Sequence, residues 1–329
     1  MNHEGVGDTP RRPFLERHRK IILMTQGIIV PAGLAGIAWA AVRHGDSISP
    51  KGHIAFLIGA VATLHLSLLV FAHRLHQSLQ TMDIRISMAR AMQIAMQSLF
   101  YFFFIPFSTG AELSRWAKIK AAAPNASHLT VLTAVGFDRF MAALACLSIS
   151  FVSLPFVTLR GVSSTDAPTL PVHPAVAIAV LLVILGLAAA VAVRRGWIRQ
   201  VLVPIHSAGP RLIRGAMLVG GESILIQFLS ITTLWLLARW LGIDLSFAAL
   251  ALGTSGGMLA QVIPISLAGA GPAELGSGLL FAACGATTDE AVMLTTSLYL
   301  CRLVGAVEGG ILELPLWKAR MRPSRMTGN

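Results

Sequence analysis

The sequence predicts an all-α polytopic membrane protein built as two inverted repeats, each with three transmembrane helices and one re-entrant hairpin. Three observations lead there. Of 329 residues, 55% are hydrophobic and only 12% charged, against roughly a quarter charged in ordinary soluble domains. Apolar runs of about twenty residues, the length of a membrane span, recur along the chain. Finally, two related motifs, each breaking an apolar segment with proline and glycine, stand one in each half.

The elements follow in order. Residues 1–20 form a basic cytoplasmic N-terminus with Arg11, Arg12, Arg17, Arg19 and Lys20. The first span is 21–42; Ala38-Trp39-Ala40 resembles a signal cleavage site, which is the competing reading. The apolar stretch before it exceeds the ~7–15 residues of a signal core, so an uncleaved anchor is expected. Further spans are expected at 54–71, 129–159, 175–193, 216–238 and 291–317. Two more apolar stretches, 89–107 and 247–265, run directly into the glycine motifs. The first repeat is therefore 21–159 with a hairpin at about 89–120, and the second 175–317 with a hairpin at about 247–283. Residues 160–174 make an external loop and 318–329 a basic cytoplasmic tail. The linker 194–215 reads as a basic interfacial helix, with Trp197, Ile198, Val201, Leu202 and Ile205 on its apolar side.

Positive charge orients the chain, because Lys and Arg near span ends favour the cytoplasm. If both motif segments dip in and return on one side, the basic residues before Ile21, between Arg74 and Arg90, and between Arg115 and Lys120 all face inward. So do those between Arg194 and Arg214 and between Lys318 and Arg325. The outer loops keep only Arg43, Lys51, Arg160 and Arg239. If each segment crossed fully, that asymmetry would be lost. The same arrangement inverts the second half relative to the first, so the hairpins enter from opposite faces and their tips meet near the middle. The net charge of +11 thus marks cytoplasmic segment ends, and nucleic acid is not expected as a partner.

The motifs read Pro106-Phe-Ser108-Thr-Gly110-Ala-Glu112-Leu-Ser-Arg115 and Pro264-Ile-Ser266-Leu-Ala-Gly269-Ala-Gly271-Pro272-Ala-Glu274-Leu275. Gly110, Gly269 and Gly271 permit tight turns, and Pro106, Pro264 and Pro272 end or start helices without needing an N–H. Non-helical backbone at membrane depth must be buried in protein or face a watery cavity. Kinked helices that merely share Pro and Gly are the alternative. An arginine follows each motif inside the next span: Arg139 lies 27 residues after Glu112 and Arg302 lies 28 after Glu274. Both fall near ~15 Å depth, where an ionisable group needs a partner or a cavity. Glu112 and Glu274 are the expected partners, with Asp138 a further candidate beside Arg139. Such pairs either lock hairpin to span or line a central transport-type site. The candidate substrate-binding residues are Glu112, Arg115, Asp138, Arg139, Glu274 and Arg302.

Other polar groups carry less. Glu222 and Gln227 either line the cavity or bond a neighbouring helix, while Glu308 and Glu313 read as packing or interfacial groups. His65 is expected to be a satisfied core histidine, and His73, Arg74 and His76 a solvated cytoplasmic end, with contact to a lipid phosphate as the alternative. No enzyme activity is expected. The histidines lack metal-ligand spacing, Cys146, Cys284 and Cys301 form no CxxC or disulfide framework, and no phosphate-binding GxxxxGK[ST] occurs. No cofactor is expected.

Gly110-Ala-Glu112-Leu-Ser-Arg115 with Phe137-Asp138-Arg139-Phe140 resembles the Gly-Glu-x-x-Arg and Glu/Asp-Arg signature of the flippase-like membrane region of lysylphosphatidylglycerol synthetases. Pro264-Ile-Ser266, Gly269, Gly271, Glu274 and Tyr299-x-x-Arg302 are similar to its second half. The resemblance runs from about Ile21 to Trp317. It implies an integral plasma (inner) membrane protein that moves, or helps move, a lipid or lipid-linked headgroup between leaflets. The synthetases carry a cytoplasmic aminoacyl-transfer domain after this region. Only twelve residues follow Trp317 here, so a stand-alone member without synthase activity is expected. The partners implied are a phospholipid or lipid-linked substrate and the membrane. A secondary transporter of a small solute, with carboxylates binding protons or Na⁺, fits inverted repeats equally well. The third reading is a non-transporting partner of an envelope-lipid biosynthetic enzyme. The oligomeric state is left open.

Overall fold

Among the described residues of the computed structural model, four helices are long and apolar enough to cross a membrane: Ile54–Thr81, His128–Phe156, Pro210–Leu241 and Thr288–Leu314. The structure describes residues 52–104, 110–157, 209–262 and 271–321. The expected spans at 21–42 and 175–193 lie outside the described residues. In chain order the helices are α1 (Ile54–Thr81), α2 (Met88–Phe104), α3 (Gly110–Ala122), α4 (His128–Ser153), α5 (Pro210–Leu241), α6 (Phe247–Leu259), α7 (Pro272–Ala283) and α8 (Thr288–Met321). Single 3₁₀ turns extend α4 (Leu154–Phe156) and α6 (Ala260–Val262). Each set of four thus runs long, short, short, long. No strand occurs among the described residues.

Local chemistry sets the ends. The Ser127 hydroxyl accepts from the Thr130 N–H (3.0 Å) to start α4, and Ser246 accepts from Ala249 (3.1 Å) to start α6. Each satisfies one of the orphan donors of a first helical turn. Pro272 begins α7, and the Glu274 carboxylate reaches back to the Gly271 N–H at 2.7 Å. Thr287 and Glu290 cap α8 reciprocally, with the Thr287 N–H on Glu290 Oε2 at 2.8 Å and the Glu290 N–H on Thr287 Oγ1 at 3.3 Å. Gly242, at φ 76°, ends α5 in the left-handed conformation.

Two boundaries differ from expectation. The span expected at 54–71 continues to Thr81, because the helix tolerates polar residues there once neighbouring helices supply their partners. The span expected from 216 begins at Pro210, so the end of the supposed interfacial linker is already helix α5. The rest of that linker lies outside the described residues.

The molecule is apolar outside as well as inside. Phe151, Leu275 and Met217 are 77%, 73% and 68% exposed on helix surfaces, as expected where lipid is the solvent and backbone polar groups are satisfied within the helix. Helix α1 packs along α5 as the most extensive pair. They run antiparallel: the Gly52 N–H donates to the Trp240 carbonyl (3.0 Å) just before α1, Thr63 and Thr233 share a hydroxyl bond (2.8 Å), and Thr81 abuts Gly215 at the far end. The short helices pair as α2–α3 and α6–α7, while α2 also lies on α8 and α6 on α4.

Among the described residues, buried apolar side chains gather in three clusters. One, in the first half, includes Leu75, Leu79, Ile94, Ile119 and Val131. Another, mostly in the second half, includes Ile231, Leu234, Leu250, Phe281 and Leu294. Phe103, Tyr299 and Ala306 join α2 to α8 between them. Glycine permits the closest contact there, since a Cβ on Gly309 would lie 2.0 Å from the Met96 carbonyl oxygen. Small residues let membrane helices approach this closely.

Candidate functional site

The glycine motifs deliver their glutamates on the short helices α3 and α7, while the arginines stand inside α4 and α8. Arg139 Nη2 lies 2.6 Å from Glu112 Oε1, and Arg302 Nη1 lies 2.5 Å from Glu274 Oε1. Each half therefore ties a short helix to its following long helix through one charge pair. Gly110 opens α3 and is buried, and Gly271 is the N-cap of α7. Pro106, Pro264 and Gly269 lie outside the described residues.

Asp138 is not the partner of Arg139. Neighbours in sequence on a helix point about 100° apart, and Asp138 points into the bundle. Its carboxylate takes a bidentate fork from Arg74, Nε to Oδ1 at 2.9 Å and Nη2 to Oδ2 at 3.1 Å. It also accepts from Arg115 Nη1 (3.3 Å) and the Ser78 hydroxyl (3.3 Å). Arg74 continues to Ser223 on α5 (3.1 Å), and Arg115 to Ser98 on α2 (2.8 Å). Arg115 and Asp138 are 0% exposed and Arg74 3%. A buried ion network is viable only with such geometry, and here each of the three ions has at least two partners although Arg115 Nη2 stays unpartnered among the described residues. The Phe71 ring covers both guanidiniums, 4.8 Å from Arg115 and 5.6 Å from Arg74.

Arg74 is thus not part of a solvated end, and Arg115, counted among the cytoplasm-facing basic residues, is fully buried. The missed signal was helical continuity: no breaker occurs between Phe71 and Thr81, so the helix carries Arg74 inward past the end of the apolar run.

A cavity of about 200 Å³ lies between the halves. Arg139 and Arg302 both line it, one from each half, with Ser67, Ser230, Thr233, Thr254 and Gln261 as further polar groups. Phe71, Phe102, Phe103, Leu298 and Met258 make much of the apolar wall. Phe71 therefore separates the cavity from the Arg74–Asp138–Arg115 network. Guanidinium groups at an apolar cavity suit a phosphate or carboxylate with apolar attachments.

Three buried polar atoms around the first-half arginines have no hydrogen-bond partner among the described residues: Arg139 Nε, Arg115 Nη2 and Glu112 Oε2. The second-half pair differs, because Glu274 engages both oxygens, one with Arg302 and one with the Gly271 N–H.

The remaining polar groups mostly bind helices together. Glu222 pairs with His73 (2.6 Å), and Gln227 donates to Cys146 Sγ (2.9 Å) and faces Met258 Sδ (3.6 Å). Glu313 is buried, accepting from Lys118 (2.7 Å) and the Tyr101 hydroxyl (2.9 Å). His65 is satisfied but not core: half-exposed, it bonds the Val61 carbonyl (2.8 Å) and Glu308 (2.9 Å).

Comparison with curated proteins yields no match, and comparison with solved structures yields none either. The family described as "Lysylphosphatidylglycerol synthase TM region" matches residues 25–306. That stretch contains both short-helix pairs, both Arg–Glu pairs and the cavity between them. With helices throughout the described residues, four of them of spanning length, this chain is a multi-pass membrane protein that belongs to the lysylphosphatidylglycerol synthase TM region family.

Proposed function

We propose that this protein moves a phospholipid or lipid-linked headgroup between the leaflets of the plasma membrane, without covalent chemistry. The observation that carries this reading is the cavity lined by Arg139 and Arg302 together. A headgroup phosphate there meets a guanidinium from each half, while the apolar wall and the lipid-facing helices accommodate acyl chains. Glu112 and Glu274 balance the arginines when the site is empty of anion.

Alternating access follows from two inverted repeats with re-entrant hairpins. Three features support that architecture. The helix lengths repeat between halves, and the packing is reciprocal, α2 on α8 and α4 on α6. The equivalent helices α1 and α5 run antiparallel, so an axis exchanging them lies in the membrane plane. Helices α3, α6 and α7, of 13, 13 and 12 residues, reach only about 20 Å, short of the ~30 Å hydrocarbon core. The α2–α3 and α6–α7 pairs then enter and leave on one side each, with N- and C-termini cytoplasmic. Rocking of one repeat against the other exposes the arginines to each leaflet in turn.

Reconstitution into liposomes with a headgroup-labelled phospholipid tests the proposal. Wild-type protein is expected to move inner-leaflet label to the outside, and Arg139→Gln and Arg302→Gln to slow it. Anionic phospholipid is expected to raise the unfolding temperature more than a neutral lipid of equal chain length. That difference is expected to survive high salt, because exposed contacts are screened over ~10 Å at 0.1 M and buried ones far less. Solute uptake without lipid movement would instead establish a small-solute transporter. Inactivity in both, with stable co-purification of an envelope-lipid enzyme, would establish a scaffolding partner.

A further inference from the structure

We infer that the first-half site reads a hydrogen-bond donor on the alcohol esterified to the lipid phosphate. The inference rests on the phosphate-headgroup reading above and names what distinguishes one headgroup from another. The two Arg–Glu pairs look alike but differ in what they leave unused. Glu274 spends both oxygens, on Arg302 and on the Gly271 N–H. Glu112 spends one on Arg139, and its Oε2 is buried without a partner among the described residues. Arg139, which lines the cavity, has an unpartnered buried Nε. The salt bridge at 2.6 Å holds these two groups beside each other.

An unused N–H and an unused carboxylate oxygen on one ion pair call for a ligand that presents an acceptor and a donor together. A phosphodiester supplies the acceptor to Arg139. The donor must come from the attached alcohol, as an ammonium or hydroxyl. Behind Phe71, two arginines share one aspartate, so the network keeps a formal excess of one positive charge, and Arg115 Nη2 is also unpartnered. That excess favours the phosphate end on the arginine side and leaves the donor for Glu112. Ethanolamine and glycerol headgroups both satisfy the pattern, whereas choline, fully methylated, and a methyl ester have no donor to offer. A lipid that leaves the enclosed Glu112 Oε2 without a donor binds less tightly, because the desolvation of that oxygen goes uncompensated.

The experiment uses the full-length protein in neutral detergent at high salt and measures the lipid concentration giving half-maximal thermal stabilisation. Four dioleoyl lipids form two pairs of equal charge: phosphatidylethanolamine against phosphatidylcholine, and phosphatidylglycerol against phosphatidylmethanol. The donor-bearing member is expected to bind roughly tenfold more tightly in each pair. Headgroup size runs oppositely in the two pairs, so a size effect cannot imitate the result. Glu112→Gln, which replaces the free acceptor by an amide that can donate, is expected to erase both differences. Asp244→Asn, at an exposed surface pair, is expected to retain them. If Glu112→Gln does not fold, the two wild-type comparisons decide alone.

Equal binding within both pairs, or differences unchanged in folded Glu112→Gln, would overturn the inference. The underlying reading is separated by a fifth lipid, dioleoylglycerol, which lacks phosphate. If phosphatidylmethanol outbinds it while the donor pairs are equal, only the donor inference falls. If it does not, the phosphate reading falls as well.

Discussion

The two short-helix pairs stand in equivalent places yet are held by different physics. When Glu112 is set against Glu274, Arg115 falls on Ser277; when Arg139 is set against Arg302, Asp138 falls on Cys301. The first half therefore fastens α3 with a buried network of two arginines and an aspartate that also engages α1, α2 and α5. The second fastens α7 by close backbone packing. A Cβ on Gly257 would sit 2.0 Å from Ser277 Oγ, and one on Gly253 would overlap the fully buried Phe281 ring. One pair is positioned by charge and the other by shape. The two glutamates differ accordingly: Glu112 Oε2 is buried without a partner among the described residues, whereas both Glu274 oxygens are engaged, and this difference underlies the inference that the first half reads the headgroup.

The comparison breaks outright if the halves are not inverted. In a cysteine-free background, single cysteines at Asn125, between α3 and α4, and Thr287, between α7 and α8, are expected to label from opposite faces, Asn125 from the cytoplasm. Labelling of both from one side would remove the symmetry and the rocking mechanism with it.

The next largest effect concerns the ionic half. Asp138→Asn leaves two buried guanidiniums without their countercharge, and breaking such a pair typically costs ~3–5 kcal/mol. A large fall in unfolding temperature is expected, with loss of folded yield. Replacing Arg74, Arg115 and Asp138 together by apolar residues of similar volume is expected to restore much of it. An Asp138→Asn protein as stable as wild type would mean that the network does not hold the first half.

A smaller effect separates the two Arg–Glu pairs. Glu274→Ala removes a charged acceptor from Arg302 and from the Gly271 N–H, whereas Glu112→Ala removes one from Arg139 alone. At roughly 1.5–3 kcal/mol per hydrogen bond to a charged group in a buried setting, discounted for partial exposure, Glu274→Ala should be the more destabilising. Arg302→Gln alone should lower yield, and Glu274→Gln with Arg302→Gln should recover it while remaining inactive in translocation. A fully active double variant would place the site elsewhere. The smallest effect is expected at the exposed Arg239–Asp244 pair, where Asp244→Asn should change stability by about 0.5 kcal/mol or less. A larger change there would show that surface pairs also hold the bundle.

Much of this was legible in sequence because it depends on local order. Hydropathy located the four described spans, since twenty apolar residues have few alternatives to crossing lipid. Proline and glycine marked where α3 and α7 begin, and motif spacing brought Glu112 to Arg139 and Glu274 to Arg302. Partners chosen across helices were not legible. Asp138 stands next to Arg139, yet its partners are Arg74 and Arg115, because helix rotation aims successive side chains at different neighbours. Arg74 looked like a solvated end because an apolar run stops before it, although the helix does not. His65 looked like core from the apolar residues around it, but the face it occupies is half-exposed.

The sequence by itself determined the membrane class, the paired broken segments and the two arginine–glutamate couples, all consequences of composition and spacing along one chain. Only the tertiary structure decided that Glu112 keeps an unpartnered oxygen among the described residues while Glu274 engages both of its own. That depends on where α1, α2 and α5 place Arg74, Ser98 and Ser223 around Asp138, and on Gly257 letting α7 close against α6. Such contacts join residues far apart in the chain, and their distances are set by helix packing rather than by any local pattern.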